Sequence, residues 1–208
     1  MDYLSPSEYG AFGLESATPA AWVTAASAVI ESYCRRPTLG VTQYQERVRV
    51  AWGRNTLRLT YLPLAAMEGA ASALVQLRGR YAEPRHYEGV ASEIAMEAAV
   101  VFALPGTWVE LDAKGIDLCA ESGELTLPMN VLGLSFGELE VTYTAGLAVI
   151  PKAVKVACAQ VVRNAQATPA LNVRRERLDR MYLDYFSDSL VDQTVKSLLA
   201  PYVAQKVG

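Results

Sequence analysis

A change of periodicity within one short stretch constrains the fold of this chain more than any other feature. The stretch VTYTAGLAVIPKAVKVAC, Val141–Cys158, begins with the alternation typical of a β-strand and continues with apolar residues at helical spacing. Gly146 permits a reversal between the two patterns, and Pro151 suits the first turn of a helix. The stretch therefore predicts a β-rich region that rejoins a helical part at a fixed point.

Three helices are predicted, two of them long. The first has Thr18 as N-cap and Pro19 at its first position, and it stops at Pro37. Its predicted buried stripe is Trp22, Ala26, Val29, Ile30 and Tyr33. The second helix opens at Pro151 and ends at Thr168-Pro169, with a stripe of Val154, Cys158, Val161, Val162 and Ala165.

The third predicted helix is short and lies near the end of the chain. It starts near Ser189, with Asp192 three residues later as a capping-box partner, and it ends at Pro201-Tyr202. Its apolar face consists of Val191, Val195, Leu198 and Leu199. Because so short a helix is not stable alone, it must dock on its own domain or on a partner.

The middle of the chain has strand patterns. Alternation on both sides of Gly53-Arg54-Asn55 predicts a β-hairpin, with one arm around residues 43–50 and the other around 57–61. Further strands are predicted at Ala73–Tyr81, Trp108–Leu111, Ile116–Leu118, Glu124–Leu127 and Glu138–Tyr143. Glycines separate several of these strands at intervals typical of turns.

These patterns together predict an α+β fold. The N-terminal helix, the helix after the β region and the C-terminal helix form a small helical bundle frame, because each must bury a single apolar stripe. The frame carries the β-hairpin and an inserted β-rich module at 70–143, and a C-terminal arm with the short helix occupies 170–208. The whole chain, 1–208, is predicted to be a single domain, in keeping with its length.

Charge is distributed unevenly, although the net charge is only −3. Nine arginines and three glutamates lie between Arg35 and Arg85, whereas seven acids and one lysine lie between Pro105 and Ala145. The small net charge argues against a general nucleic-acid binder. The hairpin arginines are either a solvated face or a basic rim for a partner or for DNA phosphates. Segregated charge suits a subunit that presents one face to an acidic object and another to a basic one.

A search for catalytic chemistry finds little. The one histidine, His86, lies in a loop pattern flanked by proline and glycine. The acids from Glu110 to Glu124 do not have the spacing of an EF-hand, and exposed strand faces explain them more simply. No phosphate-loop, dinucleotide, nucleophile-elbow or zinc-protease motif occurs. The sequence predicts no enzyme, no metal, no cofactor and, without a long apolar run, no membrane span.

The polar stretch LNVRRERLDRMYLDYF precedes the last helix. It carries four arginines between Arg174 and Arg180, mixed with Glu176 and Asp179. As a helix it would pair its own charges, and as a strand it would present alternate charges. A solvated face and an interaction arm are the two interpretations. Contact with other proteins is the role that these features favour.

Four segments follow one another along the chain: WVTAASAVIESYCRRP, LRLTYLPL, EVTYTAGLAVIPKAVKVACAQVV and VKSLLAPYV. Their order resembles that of the head-tail connector, or adaptor, family of long-tailed bacteriophages. The resemblance extends from Trp22 to Tyr202. In that family a Tyr-Thr-Ala-Gly turn followed by Ile-Pro opens the second long helix, and Leu-Leu-x-Pro-Tyr closes the chain. This chain differs from the compact family pattern in its long β region between Val75 and Leu139.

The resemblance implies a structural protein of the virion neck, assembled in the host cytoplasm. Such subunits form a homo-oligomeric ring, typically a dodecamer, that docks on the portal, extends the channel for double-stranded DNA and offers a platform to the next neck or tail protein. The implied portal-binding residues are Val195, Leu198, Leu199, Pro201 and Tyr202. The implied interaction arm contains Arg174, Arg175, Arg177, Arg180, Tyr182 and Tyr185.

A channel that passes DNA should not hold its phosphates, which an acidic wall avoids. We therefore expect the channel-lining residues to be Glu110, Asp112, Asp117, Glu121 and Glu124, although the same acids could face outward as solvated strand residues. Another neck ring component, such as a stopper or tail-completion protein, is the first alternative function. A small cytoplasmic enzyme using His86 and the acidic segment is the second.

Overall fold

A computed structural model describes residues 1–51, 54–81, 94, 97–98, 100–102, 106–128, 136–167, 175–178, 181–184 and 190–205. Across these residues the chain forms three continuous α-helices and nine β-strands, residues 94, 97–98 and 100–101 are also helical, and every strand ladder is antiparallel. The fold is therefore α+β, as the sequence predicts.

The helices are α1 (Ala20–Cys34), α2 (Lys152–Ala167) and α3 (Gln193–Leu199). The strands are β1 (Thr42–Arg49), β2 (Thr56–Arg58), β3 (Leu74–Tyr81), β4 (Trp108–Leu111), β5 (Asp117–Cys119), β6 (Glu124–Thr126), β7 (Phe136–Ala145), β8 (Arg175–Leu178) and β9 (Met181–Asp184). Short 3₁₀ turns lie at Pro6–Glu8, Gly10–Phe12, Ala113–Gly115 and Ala200–Tyr202.

The chain divides into two compact units. The helical unit comprises Met1–Gly40 and Leu147–Ala204, and the β unit consists mainly of Val41–Gly146. The β unit is thus one continuous segment inside the helical unit's sequence. It begins at Val41, whereas the insertion predicted from the sequence begins at residue 70.

The helical unit has a core to which all three helices contribute. On α1 the buried residues are Val23, Ala26, Ser27, Ile30 and Cys34, whereas Trp22 is 37% exposed. The stripe predicted for α1 is therefore wrong at Trp22. The buried stripe instead includes the small residues Ser27 and Cys34. Ser27 Oγ has a partner inside the core, since it accepts a hydrogen bond from the Tyr3 backbone N–H. A polar side chain with a partner is buried at little cost.

The second helix agrees with its predicted stripe. Val154, Cys158, Val161, Val162 and Ala165 are all buried in the core of the helical unit or at its edge. The helix begins at Lys152, directly after Pro151, and the described part ends at Ala167. Burial raises the pKa of the Cys158 thiol to about 11, so this cysteine serves as a small core residue.

Asp192, rather than Ser189, caps the third helix. The Asp192 carboxylate accepts a hydrogen bond from the Val195 backbone N–H at 2.8 Å, so α3 begins at Gln193. The predicted start at Ser189 lies outside the described residues. Val195 and Leu199 are fully buried, and they attach α3 to the core of the helical unit.

The predicted hairpin between residues 43 and 61 is wrong. Strand β1 pairs with β7, from Thr42 opposite Ala145 to Arg49 opposite Glu138, and β2 pairs with β6. The two strands belong to different sheets, with orders β1-β7-β3-β4 and β2-β6-β5. Alternation fixes which side chains face the core, but it does not fix which strand is the partner.

The inner faces of these two sheets share one apolar core. Leu77, Leu139 and Val141 from the four-stranded sheet and Leu57 and Leu125 from the three-stranded sheet belong to the same buried cluster. The strands predicted between Ala73 and Tyr143 are all present, with ends shifted by up to two residues. The β unit is thus a small sandwich in which each sheet covers the apolar face of the other.

Candidate interaction surfaces

The outer face of the four-stranded sheet carries rows of arginine and glutamate. Residues in register on neighbouring strands point to the same side of a sheet. One row contains Arg47, Glu140, Arg78 and Glu110, and the next contains Arg49, Glu138, Arg80 and Trp108. We call these eight residues the arginine face.

Glu138 is the electrostatic centre of the arginine face. The Arg47 guanidinium donates to it at 2.5 Å, and nitrogens of Arg80 and Arg49 lie 3.4 Å and 3.9 Å from its carboxylate oxygens. The hydrogen bond from Arg47, with the charges of the three arginines, lowers the pKa of Glu138. Because three cations share one carboxylate, positive charge is in excess around Glu138.

Trp108 lies between two arginines on this face. The guanidinium carbons of Arg47 and Arg78 are 5.1 Å and 5.9 Å from the centroid of its ring. Such cation–π contacts hold the ring and the two guanidinium groups in a defined arrangement. Arg49, in contrast, extends into solvent with 91% of its side chain exposed.

The segregated charge predicted from the sequence is wrong for β7. Glu138 and Glu140 belong to the acidic segment, yet they lie between the arginines of β1 and β3. The structure therefore interleaves charges that the sequence separates. Arg78 and Arg80 are not among the predicted site residues. Their spacing of two residues, like that of Glu138 and Glu140, indicates side chains on one face of a sheet and could have identified them.

Three predicted acids remain together on the three-stranded sheet. Its inner row is Leu57, Leu125 and Leu118, so the neighbouring rows, with Asp117 and Glu124, face outward. Glu121 is exposed in the turn between β5 and β6. We call Asp117, Glu121 and Glu124 the acidic face. Arg58 is the nearby cation, since it is in register with Glu124 and donates to the Ser122 carbonyl at 2.9 Å.

The other two predicted channel residues lie elsewhere in the β unit. Glu110 belongs to the arginine face and accepts a hydrogen bond from the Gln76 amide at 3.2 Å. Asp112 caps the 3₁₀ turn at Ala113–Gly115 by accepting from the Lys114 backbone N–H. The five predicted channel-lining acids therefore do not form one surface.

The predicted portal-binding residues differ in accessibility. Val195 and Leu199 are 0% exposed and belong to the core of the helical unit. Leu198 and Tyr202 are half-buried against that core, and Pro201 is exposed. Of the five predicted residues, Pro201 and the outer parts of Leu198 and Tyr202 are therefore accessible to another protein.

The predicted interaction arm includes a two-stranded hairpin. Strands β8 and β9 pair so that Arg175 is opposite Asp184 and Arg177 is opposite Tyr182. The stretch is thus extended where the structure describes it, which favours the strand interpretation over the helical one. Arg174, Arg180 and Tyr185 lie outside the described residues.

The Tyr-Thr-Ala-Gly joint has side-chain contacts that sequence reasoning missed. The buried Tyr143 hydroxyl donates to Glu46 at 2.6 Å and accepts from the Tyr61 backbone N–H at 3.1 Å. The Thr144 hydroxyl donates to the Ala65 carbonyl at 2.6 Å. Gly146 has a φ of 139°, a value that side chains disfavour, so glycine suits the reversal expected there.

The residues that the structure describes show neither a metal-binding cluster nor a membrane-spanning helix. Among them, no group of three or more His, Cys, Asp or Glu is placed to hold a metal ion. No helix in the same residues is both long enough and apolar enough to cross a membrane. His86 lies outside the described ranges.

Comparison with known proteins gives no family assignment. No protein-family model matches the chain, and no curated protein matches it either.

Proposed function

We propose that this chain is a structural, non-catalytic subunit of a phage head-tail connector ring. In this proposal a small helical frame carries an inserted β-rich module, and the ring docks on the portal of the virion neck. It extends the DNA channel and gives a platform to the next neck or tail protein.

One observation carries the proposal: the motifs that resemble the connector family lie where the β unit ends and where the last helix packs into the core of the helical unit. The Tyr-Thr-Ala-Gly turn anchors the end of β7 through Tyr143 and Thr144, and α2 begins at Lys152, six residues after Gly146. The terminal Leu-Leu-x-Pro-Tyr begins in α3, where Leu199 enters the core of the helical unit. Both motifs thus have positions in the fold that support the resemblance.

The portal contact is tested at Pro201. This residue is exposed, so Pro201→Glu adds a charge without removing core packing. We expect the variant to bind the cognate portal at least about tenfold more weakly, because a desolvated charge opposes an apolar contact. Sedimentation of the purified chain with the portal measures the binding.

Ala21→Glu is the matched control, since it adds one carboxylate at an exposed position in the first turn of α1. Removal of all of α3 would be a poor test, because it would also remove Val195 and Leu199 from the core. A wild-type chain that does not bind the portal would refute the connector role.

The channel part of the proposal concerns the acidic face. An acidic wall would let DNA pass without releasing the counterions that accompany tight phosphate binding. We expect Glu121→Lys/Glu124→Lys to slow DNA delivery while rings still form. Normal infectivity of phage carrying the double variant would count against a channel wall at these residues.

A further inference from the structure

The arginine face and the acidic face lie on opposite sides of the β unit. The four-stranded and three-stranded sheets contribute their inner rows to one core, so their outer rows point away from each other. The arginine face holds four arginines and three glutamates, and Arg49 extends from it almost fully exposed. The acidic face holds three exposed acids beside Arg58.

Opposite faces of opposite charge suit head-to-tail contact. When a surface of one copy fits a different surface of the next, the contact is heterologous, and it closes into a ring if the rotation allows. We propose that the arginine face of one copy binds the acidic face of a second copy. The inference deepens the proposed function, on which its ring geometry rests, by naming the subunit contact.

The composition of the arginine face favours a protein partner over DNA. Glu110, Glu138 and Glu140 lie among its arginines, and they would repel phosphates along a DNA backbone. The chain as a whole has a net charge of −3. A half-buried tryptophan held between arginines is the kind of residue on which protein interfaces depend, whereas DNA phosphates need only the cations.

This contact and the channel wall compete for the same acids. A carboxylate covered by a neighbouring subunit cannot also line the lumen. The charge match with the arginine face favours the subunit contact for Asp117, which lies opposite Thr126 on the outer side of the three-stranded sheet. Loss of assembly is then the expected effect of reversing the charge of Asp117, whereas slow DNA passage through assembled rings is what a channel wall at Glu121 and Glu124 predicts.

Charge-swap variants test the contact. Arg49→Glu changes an exposed side chain, and Asp117→Lys changes an exposed residue of β5, so both variants should fold. Each alone should weaken self-association at least about tenfold, measured by sedimentation at low salt. Mixing the two variants should restore self-association. The altered arginine face of one variant then meets the altered acidic face of the other, and the two unaltered faces also meet. Lys152→Glu, which makes the same charge change as Arg49→Glu at an exposed position of the helical unit, should have no effect.

Four results would overturn the inference. They are a wild type that stays monomeric at high micromolar concentration, single variants that associate normally, a mixture that does not recover, and loss of short duplex DNA binding as the only effect of Arg49→Glu. Portal binding by the same samples is scored separately. Self-association without portal binding would refute the connector role and leave the subunit contact in place. Portal binding without self-association would refute the subunit contact and leave the connector role in place.

Discussion

At the scale of single residues, Tyr143 connects three segments of the β unit. Its ring is fully buried, and its hydroxyl lies between the Glu46 carboxylate and the Tyr61 backbone N–H. Burial, and then the hydrogen bond to Glu46, raise the pKa of this hydroxyl well above its usual range. The tyrosine therefore stays protonated and acts as both donor and acceptor.

Replacing Tyr143 with phenylalanine tests this role. The change leaves Glu46 and the Tyr61 N–H without their shared partner inside the unit, so we expect a loss of about 1–3 kcal/mol in the free energy of unfolding. Urea denaturation at neutral pH measures it. Glu46→Gln keeps an acceptor for the hydroxyl and should lose less. A Tyr143→Phe variant as stable as the wild type would show that the network contributes nothing.

Residue-level prediction succeeded for the apolar stripe of α2 and failed on α1, where a small polar side chain is buried and a large aromatic one is exposed. The valines of α2 recur at helical spacing, and their burial follows from that period. On α1, Ser27 and Cys34 lie in the core and Trp22 is at the surface. Hydropathy alone could not show that Ser27 is satisfied by Tyr3, because that contact joins residues distant in sequence.

At the scale of elements, α3 depends on its cap and on its docking. Seven residues are too few for a stable isolated helix. Asp192 satisfies the Val195 N–H at the helix start, and its second oxygen accepts from the Asn164 amide of α2 at 3.1 Å. One carboxylate thus both starts α3 and ties it to α2.

The Asp192 carboxylate makes the stability of α3 depend on pH. The hydrogen bond from the Val195 N–H, followed by those from Asn164 and Gln160, lowers its pKa. A lowered folded-state pKa means that its contribution is present above about pH 4 and is lost as pH falls through the lowered value. Asp192→Ala should cost about 1 kcal/mol at neutral pH.

Urea denaturation from neutral to acid pH checks this prediction. The gap in stability between the wild type and Asp192→Ala should narrow as the carboxylate is protonated. Asp192→Asn keeps a capping oxygen without a titrating group, so its own capping contribution should not change with acid. If the difference in the free energy of unfolding between the wild type and Asp192→Ala stays constant down to low pH, the charge of Asp192 does not stabilise α3.

The pairing of the strands is the part of the fold that could not be predicted from the sequence. The alternation in β1 correctly placed Tyr44 inside and Arg47 and Arg49 outside. Its partner β7 lies more than ninety residues away at Arg47–Glu138, beyond any local turn signal. The arginine face forms through that pairing together with those of β3 with β7 and β4, which is why the predicted rim of arginines lacks its glutamates and Trp108.

At the scale of the whole molecule, the β unit leaves and rejoins the helical unit at adjacent points. Gly40 and Leu147 form a bridge, and the Leu147 N–H donates to the Leu39 carbonyl at 2.8 Å. Within the β unit, Thr42 is opposite Ala145. Each unit has its own buried cluster. The ends of each unit are therefore close enough to be joined by a short linker.

Excision of residues 41–146, with a short Gly-Ser linker from Gly40 to Leu147, should leave a folded helical unit. Among the residues that the structure describes, its core contains none from the removed segment, as is typical of separable domains. Circular dichroism and cooperative thermal unfolding measure the result. The fragment 41–146 should fold as well, and its dispersed amide NMR spectrum is the companion measurement. A shortened chain that gives only a broad, non-cooperative transition would contradict the independence of the helical core.

The position of the β unit between the two segments of the helical unit also sets an order of events during synthesis. The main segment of the β unit, residues 41–146, is synthesised before α2, whereas the core around α1 is complete only after Leu199 has been synthesised. At about 5–20 residues per second, that delay is roughly ten to thirty seconds. Once folded, the β unit holds Thr42 beside Ala145, so most of the entropy of closing so long a loop has already been lost. The nascent helical unit then assembles as if the two halves of its chain were nearly contiguous.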